Sequence, residues 1–287
     1  MNKTILLTFD VEDWFQVENF KEYIPFSSWD SNELRVERNT NKILDILDSF
    51  TFKPRATFFI LGWIAKKVPN LVTEINKRDH EVASHGNLHN LCTNQNPDEL
   101  LQDLTYSKKF LEDISGKQIS GYRAPNFSIT PTALDQIKKA GYLYDSSYNS
   151  FSGHGRYGTI DLSSAEKNGA CCRINKNFFE PPISNYKLKN RVMPLGGGGY
   201  FRLFPFYLFK LGMKSVLKKD KVFIFYAHPW EFDPSQPRVE QASTGFKFRH
   251  YINLHKTENK LKALLESFSD HEFVTCIDYI KKKYTHK

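Results

Sequence analysis

No stretch of this chain approaches the ~20 consecutive apolar residues that cross a bilayer, so a membrane-spanning protein is not expected. Cysteine is scarce. Cys92, Cys171, Cys172 and Cys276 include no Cys-x-x-Cys pair, and neighbours such as 171 and 172 rarely bridge each other, so four reduced thiols are expected. Internal repeats and extended low-complexity tracts are missing. So is any Lys/Arg block interleaved with aromatic residues, and nucleic acid is not expected as a partner. The one dense basic run, Lys281-Lys282-Lys283, reads as the solvated end of a C-terminal helix, where cations suit the dipole. An export leader is not legible either. Met1-Asn-Lys-Thr runs straight into Ile5 to Phe9, which is too short for an apolar leader core and ends in acids. The expected location is cytoplasmic, with the inner face of the membrane as its alternative setting.

What is present is enough for one large α/β domain or two small ones: 287 residues, 40% apolar, with 24 Phe and 14 Tyr. The aromatic excess supplies a core and also suits carbohydrate or lipid contact. A net charge of +8 favours anionic partners.

Short apolar runs alternate with helical periodicity. Strands are expected at Ile5 to Phe9, Ala56 to Leu61, Glu81 to Ala83, Ile119 to Tyr122, Tyr142 to Tyr144, Lys221 to Ala227 and Phe273 to Cys276. Helices are expected over 41–50, 69–77, 97–114, 130–140 and 258–268, with a last one at the C-terminus. This β-α alternation argues for a parallel sheet or barrel. Asp10, His85, Arg123, Asp145 and His228 each follow a strand, the place where α/β barrels put active sites. Residues 150–200 break the rhythm with Gly, Ser and Pro. They read as a partly β excursion packed near the site rather than an independent domain.

Two constellations carry chemistry. His85 and His89, four apart, would share one face of a helical turn and could grip one divalent metal. Asp10, Glu12 and Asp13 are too many carboxylates for ordinary packing unless a cation neutralises them, the alternative being solvated acids at a capped turn. A carboxylate added to the two imidazoles would make a three-ligand set with a position open for water. Such a His₂-carboxylate set takes Zn²⁺, Co²⁺, Ni²⁺ or Fe²⁺.

Thr8-Phe9-Asp10, His80-Glu-Val-Ala-Ser-His85-Gly-Asn-Leu-His89, Arg123-Ala-Pro-Asn-Phe127, Asp145 and Tyr226-Ala-His228 resemble, in order and spacing, the five motifs of the polysaccharide deacetylases (NodB-homology, carbohydrate esterase family 4). The likeness spans about residues 4–230. Asp10-Val-Glu-Asp-Trp-Phe-Gln16, Gly197-Gly-Gly-Tyr-Phe-Arg202, His228-Pro-Trp-Glu231 and Phe248-Arg-His-Tyr251 resemble a bacterial subgroup with a C-terminal extension, associated with exopolysaccharide synthesis. The resemblance implies a distorted (β/α) barrel forming a single domain over 1–287, with an insertion at about 150–200 and an extension at about 231–287. It implies removal of N-acetyl groups from a polysaccharide or its lipid-linked precursor by a metal, most simply Zn²⁺, on His85, His89 and one N-terminal acid. It further implies Asp10 as general base, Arg123 pairing with it, His228 protonating the leaving amine, and Asp145 favouring the charged form of His228. A backbone N–H after the first-strand acids or in the Arg123 turn would stabilise the oxyanion.

One departure bears on the ligand. The family places a second aspartate directly after the base, whereas Val11 stands there in this chain. A two-residue step returns a side chain to the same strand face, which favours Glu12; Asp13 remains if the chain turns after Val11. Trp14, Tyr200, Phe201 and Trp230 could stack on sugar faces, with core or rim packing as the alternative. Arg202 and Glu231 could contact substrate or form a structural ion pair. His80 and His250 read as structural or second-layer residues; His154, His255, His271 and His286 read as loop, helix or tail residues. The aromatic stretch from Tyr200 to Met213, turning basic at Lys214, Lys218 and Lys219, reads either as a core helix or as an element docking peripherally on a membrane. Two further functions stay in view: an amidase on a non-sugar amide or cyclic ureide, and a glycan-binding protein without catalysis. Oligomeric state is not legible.

Overall fold

The computed structural model describes residues 3–151, 153, 157–189 and 191–284; His154 and His286 fall outside them. The strands are β1 Thr4–Val11, β2 Ala56–Ile60, β3 Glu81–Ser84, β4 Gly121–Tyr122, β5 Tyr144–Asp145, β6 Glu166–Asn168, β7 Cys171–Asn175, β8 Phe178–Glu180, β9 Asn185–Leu188, β10 Arg191–Pro194, β11 Val222–Ala227 and β12 Glu272–Phe273. The helices are α1 Val36–Asp48, α2 Gly62–Lys67, α3 Pro69–Lys77, α4 Pro97–Ser115, α5 Pro131–Lys139, α6 Gly198–Leu203, α7 Phe206–Asp220, α8 Thr244–Tyr251, α9 Thr257–Ser267 and α10 Cys276–Tyr284.

The main sheet runs β11-β1-β2-β3-β4-β5-β8-β7-β6, parallel from β11 to β8, and β12 pairs with the start of β1. β1 is an unbroken buried run because it is covered on both faces, as the strands of parallel sheets are. The sheet curls. Ile183 pairs with Asn149 beyond β5, and Ser184 exchanges hydrogen bonds with Ile224 of β11, so the 183–184 segment bridges the two flanks into a distorted barrel. Fully buried side chains such as Phe9, Phe58, Phe59 and Phe201 fill the interior. Each contributes about 1.5–3 kcal/mol of burial.

Register places the chemistry. Phe9 pairs with Ala227, Val11 with Ile60, Ile60 with Ser84, Ser84 with Tyr122, and Tyr122 with Asp145. The residues that follow, Asp10, His85, Arg123 and His228, therefore emerge at one rim.

The segment 150–200 holds the antiparallel β6-β7-β8 strands and the β9-β10 hairpin. Residues after 231 do not trail away. Glu272 N–H donates to the Lys3 carbonyl and Cys276 N–H to Thr57 Oγ1, which fastens residues 272–276 beside β1 and β2. The four cysteines are buried free thiols.

Three local expectations are corrected. His85 to His89 is an irregular loop, not a helical turn, with positive φ at Gly86 (77°) and His89 (55°). The helix expected from 41 starts at Val36, because its first N–H groups are capped by the distant Asp13. The stretch from Tyr200 to Met213 is two helices broken at Phe204-Pro205, since proline cannot continue the ladder of the first.

Candidate active site

Asp10 is the penultimate residue of β1 and is 2% exposed. Arg123 Nη1 donates to Asp10 Oδ1 at 2.7 Å and to Thr8 Oγ1 at 2.8 Å. The remaining guanidinium donors go to the Ser146 carbonyl and hydroxyl, and the plane lies 4.1 Å from the Phe59 ring centre. Every side of Arg123 is engaged, so Asp10 faces a fixed, fully buried positive charge. Removing one partner of such a pair costs about 3–5 kcal/mol, because the other is stranded. The second Asp10 oxygen points across the cleft, 4.0 Å from His228 Nε2.

Glu12, His85 and His89 bring one ligand atom each to within 4.8 Å of one another. The loop carrying the histidines is held from α4, where half-buried Asp103 accepts the Asn87 N–H at 3.1 Å, and from α2, whose Gly62 and Trp63 N–H groups bond the Gly86 and Asn87 carbonyls. Gly86 is needed at its positive φ, and a Cβ there would press on Asp103 Oδ1 at 3.1 Å. Sequence reasoning did not single out Asp103; its only signal is an acid on the inner face of a long helix.

The donor set fits a divalent cation. His85 Nδ1 lies 2.8 Å from the Arg123 carbonyl, which can only accept, so Nδ1 carries the proton and Nε2 is left with its lone pair for a metal. Burial pushes His85 down to about 4, keeping the ring neutral. Buried Glu12 Oε2 lies 2.7 Å from His89 Nε2, so these two ligand atoms sit side by side, close enough to share one cation. Burial would raise the Glu12 carboxyl, but His89, His228 and His85 outweigh it and hold it well below the ordinary range.

Asp13 is elsewhere. Its carboxylate accepts the N–H groups of Trp14, Arg35 and Val36, anchoring the turn after β1 and the start of α1. Burial raises it to about 6 despite those bonds.

His228 closes the cleft opposite Asp10. Its Nδ1 is 2.9 Å from Glu231 Oε1, and Glu231 Oε2 accepts from Arg202 Nε at 2.6 Å. Burial alone would lower His228; Glu12, Glu231 and Asp10 together overcome that and raise it to about 9. The carboxylate beside His228 is thus Glu231, which corrects the expected pairing with Asp145. Asp145 instead accepts from Ser147, whose hydroxyl takes the Ala124 N–H. Burial raises both the Asp145 and the Glu180 carboxyl. The Asp145–Ser147–Ala124 chain sets the turn after Arg123.

The four residues expected against substrate divide. Tyr200 lines the mouth of the cleft and is half-buried. Trp230 and Arg202 also border it but are buried. Trp230 is sandwiched between His228 and His250, with ring centres 5.1 and 4.1 Å away, and donates to Glu12 Oε1 at 3.2 Å, so neither face is free for a sugar. Arg202 spends its donors on Glu231 and on the carbonyls of Arg249, His250 and Ile252. Trp14 lies in the core, edge-on to Phe15, with its N–H on the Glu33 carbonyl. Asn126, Phe127 and Tyr226 line the cleft without having been expected to. Asn126 and Phe127 sit at φ 51° and 56°, a strained turn held beside the site, and Asn126 Nδ2 is buried without a partner.

An acid held by arginine, a His₂-carboxylate set and a charged imidazole, gathered at the strand ends of a curled α/β sheet, form the layout of a hydrolytic metal centre. Residues 1–144 match the family described as Polysaccharide deacetylase, and residues 146–281 match a domain of unknown function (DUF3473). The chain belongs to the polysaccharide deacetylase family. The boundary at 144–146 does not separate two sites, since β11 and His228 lie beside β1 and Asp10. The chain is 31% identical over 103 residues to a peptidoglycan-N-acetylglucosamine deacetylase of Bacillus cereus, covering 36% of this chain and 47% of that protein. It is 31% identical over 113 residues to the peptidoglycan deacetylase-like protein FGM2 of Gibberella zeae, covering 39% of this chain and 32% of that one. It thus spans a third to a half of the length of these curated relatives. A crystal structure from Mycobacterium smegmatis, described as a candidate polysaccharide deacetylase, superposes with a TM-score of 0.65 at 16% identity, over 100% of this chain and 92% of that one, and shares the fold. Among the described residues, no helix is long and apolar enough to cross a membrane.

Proposed function

We propose that this chain hydrolyses N-acetyl groups from a glycan, a polysaccharide or its lipid-linked precursor, using a divalent metal held by Glu12, His85 and His89. The observation that carries the reading is the convergence of those three ligand atoms with Asp10 on one side and His228 on the other, in a cleft of about 460 Å³. Zn²⁺ suits the two-nitrogen, one-oxygen donor set, and Co²⁺, Ni²⁺ or Fe²⁺ would also be accepted. When bound, the metal would polarise the amide carbonyl and acidify water.

The chain's own residues do the rest. Asp10, oriented by Arg123, takes the proton from the attacking water. His228, charged and steered by Glu231, delivers a proton to the leaving sugar nitrogen as the C–N bond breaks, releasing acetate and an amine. Trp230 fixes Glu12. Tyr200 at the mouth provides a ring for a sugar face. The phrases resembling the exopolysaccharide subgroup support a role in that synthesis, and four free thiols support action in the cytoplasm.

Acetate release from N-acetylated oligosaccharides, measured with metal-loaded protein and again after chelation, tests the reading. Activity should vanish with chelator and return with metal. Asp10→Asn and His228→Ala should abolish turnover while metal stays bound. Protein that binds one equivalent of metal yet releases no acetate from any N-acetylated glycan would overturn it.

A further inference from the structure

Between Glu180 and Asp220 the chain contains no acidic residue and eight Lys or Arg. Arg202 is spent on Glu231 and Lys210 on Ser267. The other six, Lys187, Lys189, Arg191, Lys214, Lys218 and Lys219, are exposed. The same stretch carries a concentration of exposed apolar side chains. On α7, Tyr207, Leu208 and Leu211 are 68%, 55% and 46% exposed, although Phe209 and Met213 of the same helix are fully buried. Lys214 and Lys218 follow Tyr207 and Leu211 at seven-residue steps, on the same outward face. α7 is therefore apolar on both sides at its start: one face enters the core and the other faces solvent.

The apolar surface continues to the cleft. Leu203 at the end of α6 and Phe248 on α8 are both exposed, and both line the cleft mouth with Tyr200. The β9-β10 hairpin, beside α7 across a shallow cavity lined by Lys187 and Lys219, adds exposed Leu188 and Met193. Monomeric soluble proteins rarely leave such a patch bare.

We infer that this face docks on an anionic lipid bilayer, with the α7 leucines entering the headgroup boundary and the surrounding lysines meeting lipid phosphates. Charge decides the occupant. A second copy of the chain would bring six cations against six, whereas an anionic membrane is attracted to each of them. Docking would bring the cleft mouth down to the lipid surface. On the deacetylase reading, this is where a lipid-linked glycan would be presented.

Co-sedimentation of the full chain with vesicles tests the proposal. Phosphatidylcholine–phosphatidylglycerol vesicles should pull the protein down, vesicles of phosphatidylcholine alone much less, and added salt should release it. Leu208→Ser with Leu211→Ser, and separately Lys214→Glu with Lys218→Glu, should each cut the bound fraction about tenfold or more. All four positions are exposed, so both variants should keep the wild-type melting temperature. Acetate release from a soluble oligosaccharide should be unchanged in both, which separates failure of docking from failure of the deacetylase reading. Protein that stays in the supernatant with both kinds of vesicle, or variants that bind like wild type, would overturn the proposal. Dimerisation that the leucine pair abolishes, without vesicle binding, would give the face to a second copy instead.

Discussion

Glu231 bridges His228 and Arg202: one carboxylate oxygen is 2.9 Å from His228 Nδ1, the other 2.6 Å from Arg202 Nε. Arg202 is in turn fixed by three backbone carbonyls between Arg249 and Ile252. The orientation of the imidazole in the cleft is thus set by residues far along the chain, in the part matched by the second family description.

Replacing Glu231 by Gln keeps the shape and removes the charge. The His228 pKa of about 9 is held up, against burial, by Glu12, then Glu231, then Asp10. The protonated imidazole is the acid, so it is present below about pH 9 and lost above it. Without the Glu231 charge the alkaline limb of kcat should move to lower pH, and kcat at neutral pH should fall by about 10²-fold, the lower end of what a positioned acid contributes. KM should change little. A pH–rate profile unchanged by Glu231→Gln would detach Glu231 from the role of His228.

Metal retention should depend on Glu12 and not on its neighbour. Glu12→Gln and His85→Ala should each lower affinity by more than the about 10–100-fold that outer residues of metal sites cost. Metal content after dialysis reads this directly, and the free variants should still fold, because the β1 core beneath them is untouched.

Much of this site was legible because its chemistry follows apolar runs. Each run marks a strand, and the residue after it emerges at one rim of a parallel sheet, so Asp10, His85, Arg123 and His228 come together however far apart they lie. Contacts made by folding-back were not legible. The i, i+4 histidines looked like a helical turn because spacing alone cannot distinguish that from a loop pinned by Asp103. Asp145 and Glu231 are both acids near motif residues, and only the path of the chain decides which meets His228. Trp14 could serve as a flat ring for a sugar or pack in the core, and the turn fixed by Asp13 swings it into the core.

Gly198 should be intolerant of a side chain for a steric reason. A Cβ there would lie 2.2 Å from Glu231 Oε1, whereas one on Gly199 meets nothing within 4 Å. Gly198→Ala must displace the Glu231 carboxylate, and the site is buried. It should cost about 1–3 kcal/mol of stability and reduce kcat through His228, with metal binding retained. Gly199→Ala should leave melting temperature and turnover as they are. Equal behaviour of the two alanine variants would show that the cleft wall yields around Glu231.

Asp13 separates fold from chemistry at the end of β1. Its carboxylate takes the N–H groups of Arg35 and Val36 at 2.6 and 2.8 Å, doing for α1 what a local capping side chain usually does; Arg35, in the capping position, makes no such bond. Asp13→Ala should cost about 1–2 kcal/mol, the range for a lost cap, read as a lower unfolding midpoint in urea. Metal stoichiometry should stay at the wild-type value. Asp13→Asn keeps an acceptor oxygen and should recover part of the loss. If Asp13→Ala instead releases the metal from a protein of unchanged midpoint, the ligand set drawn through Glu12 is wrong.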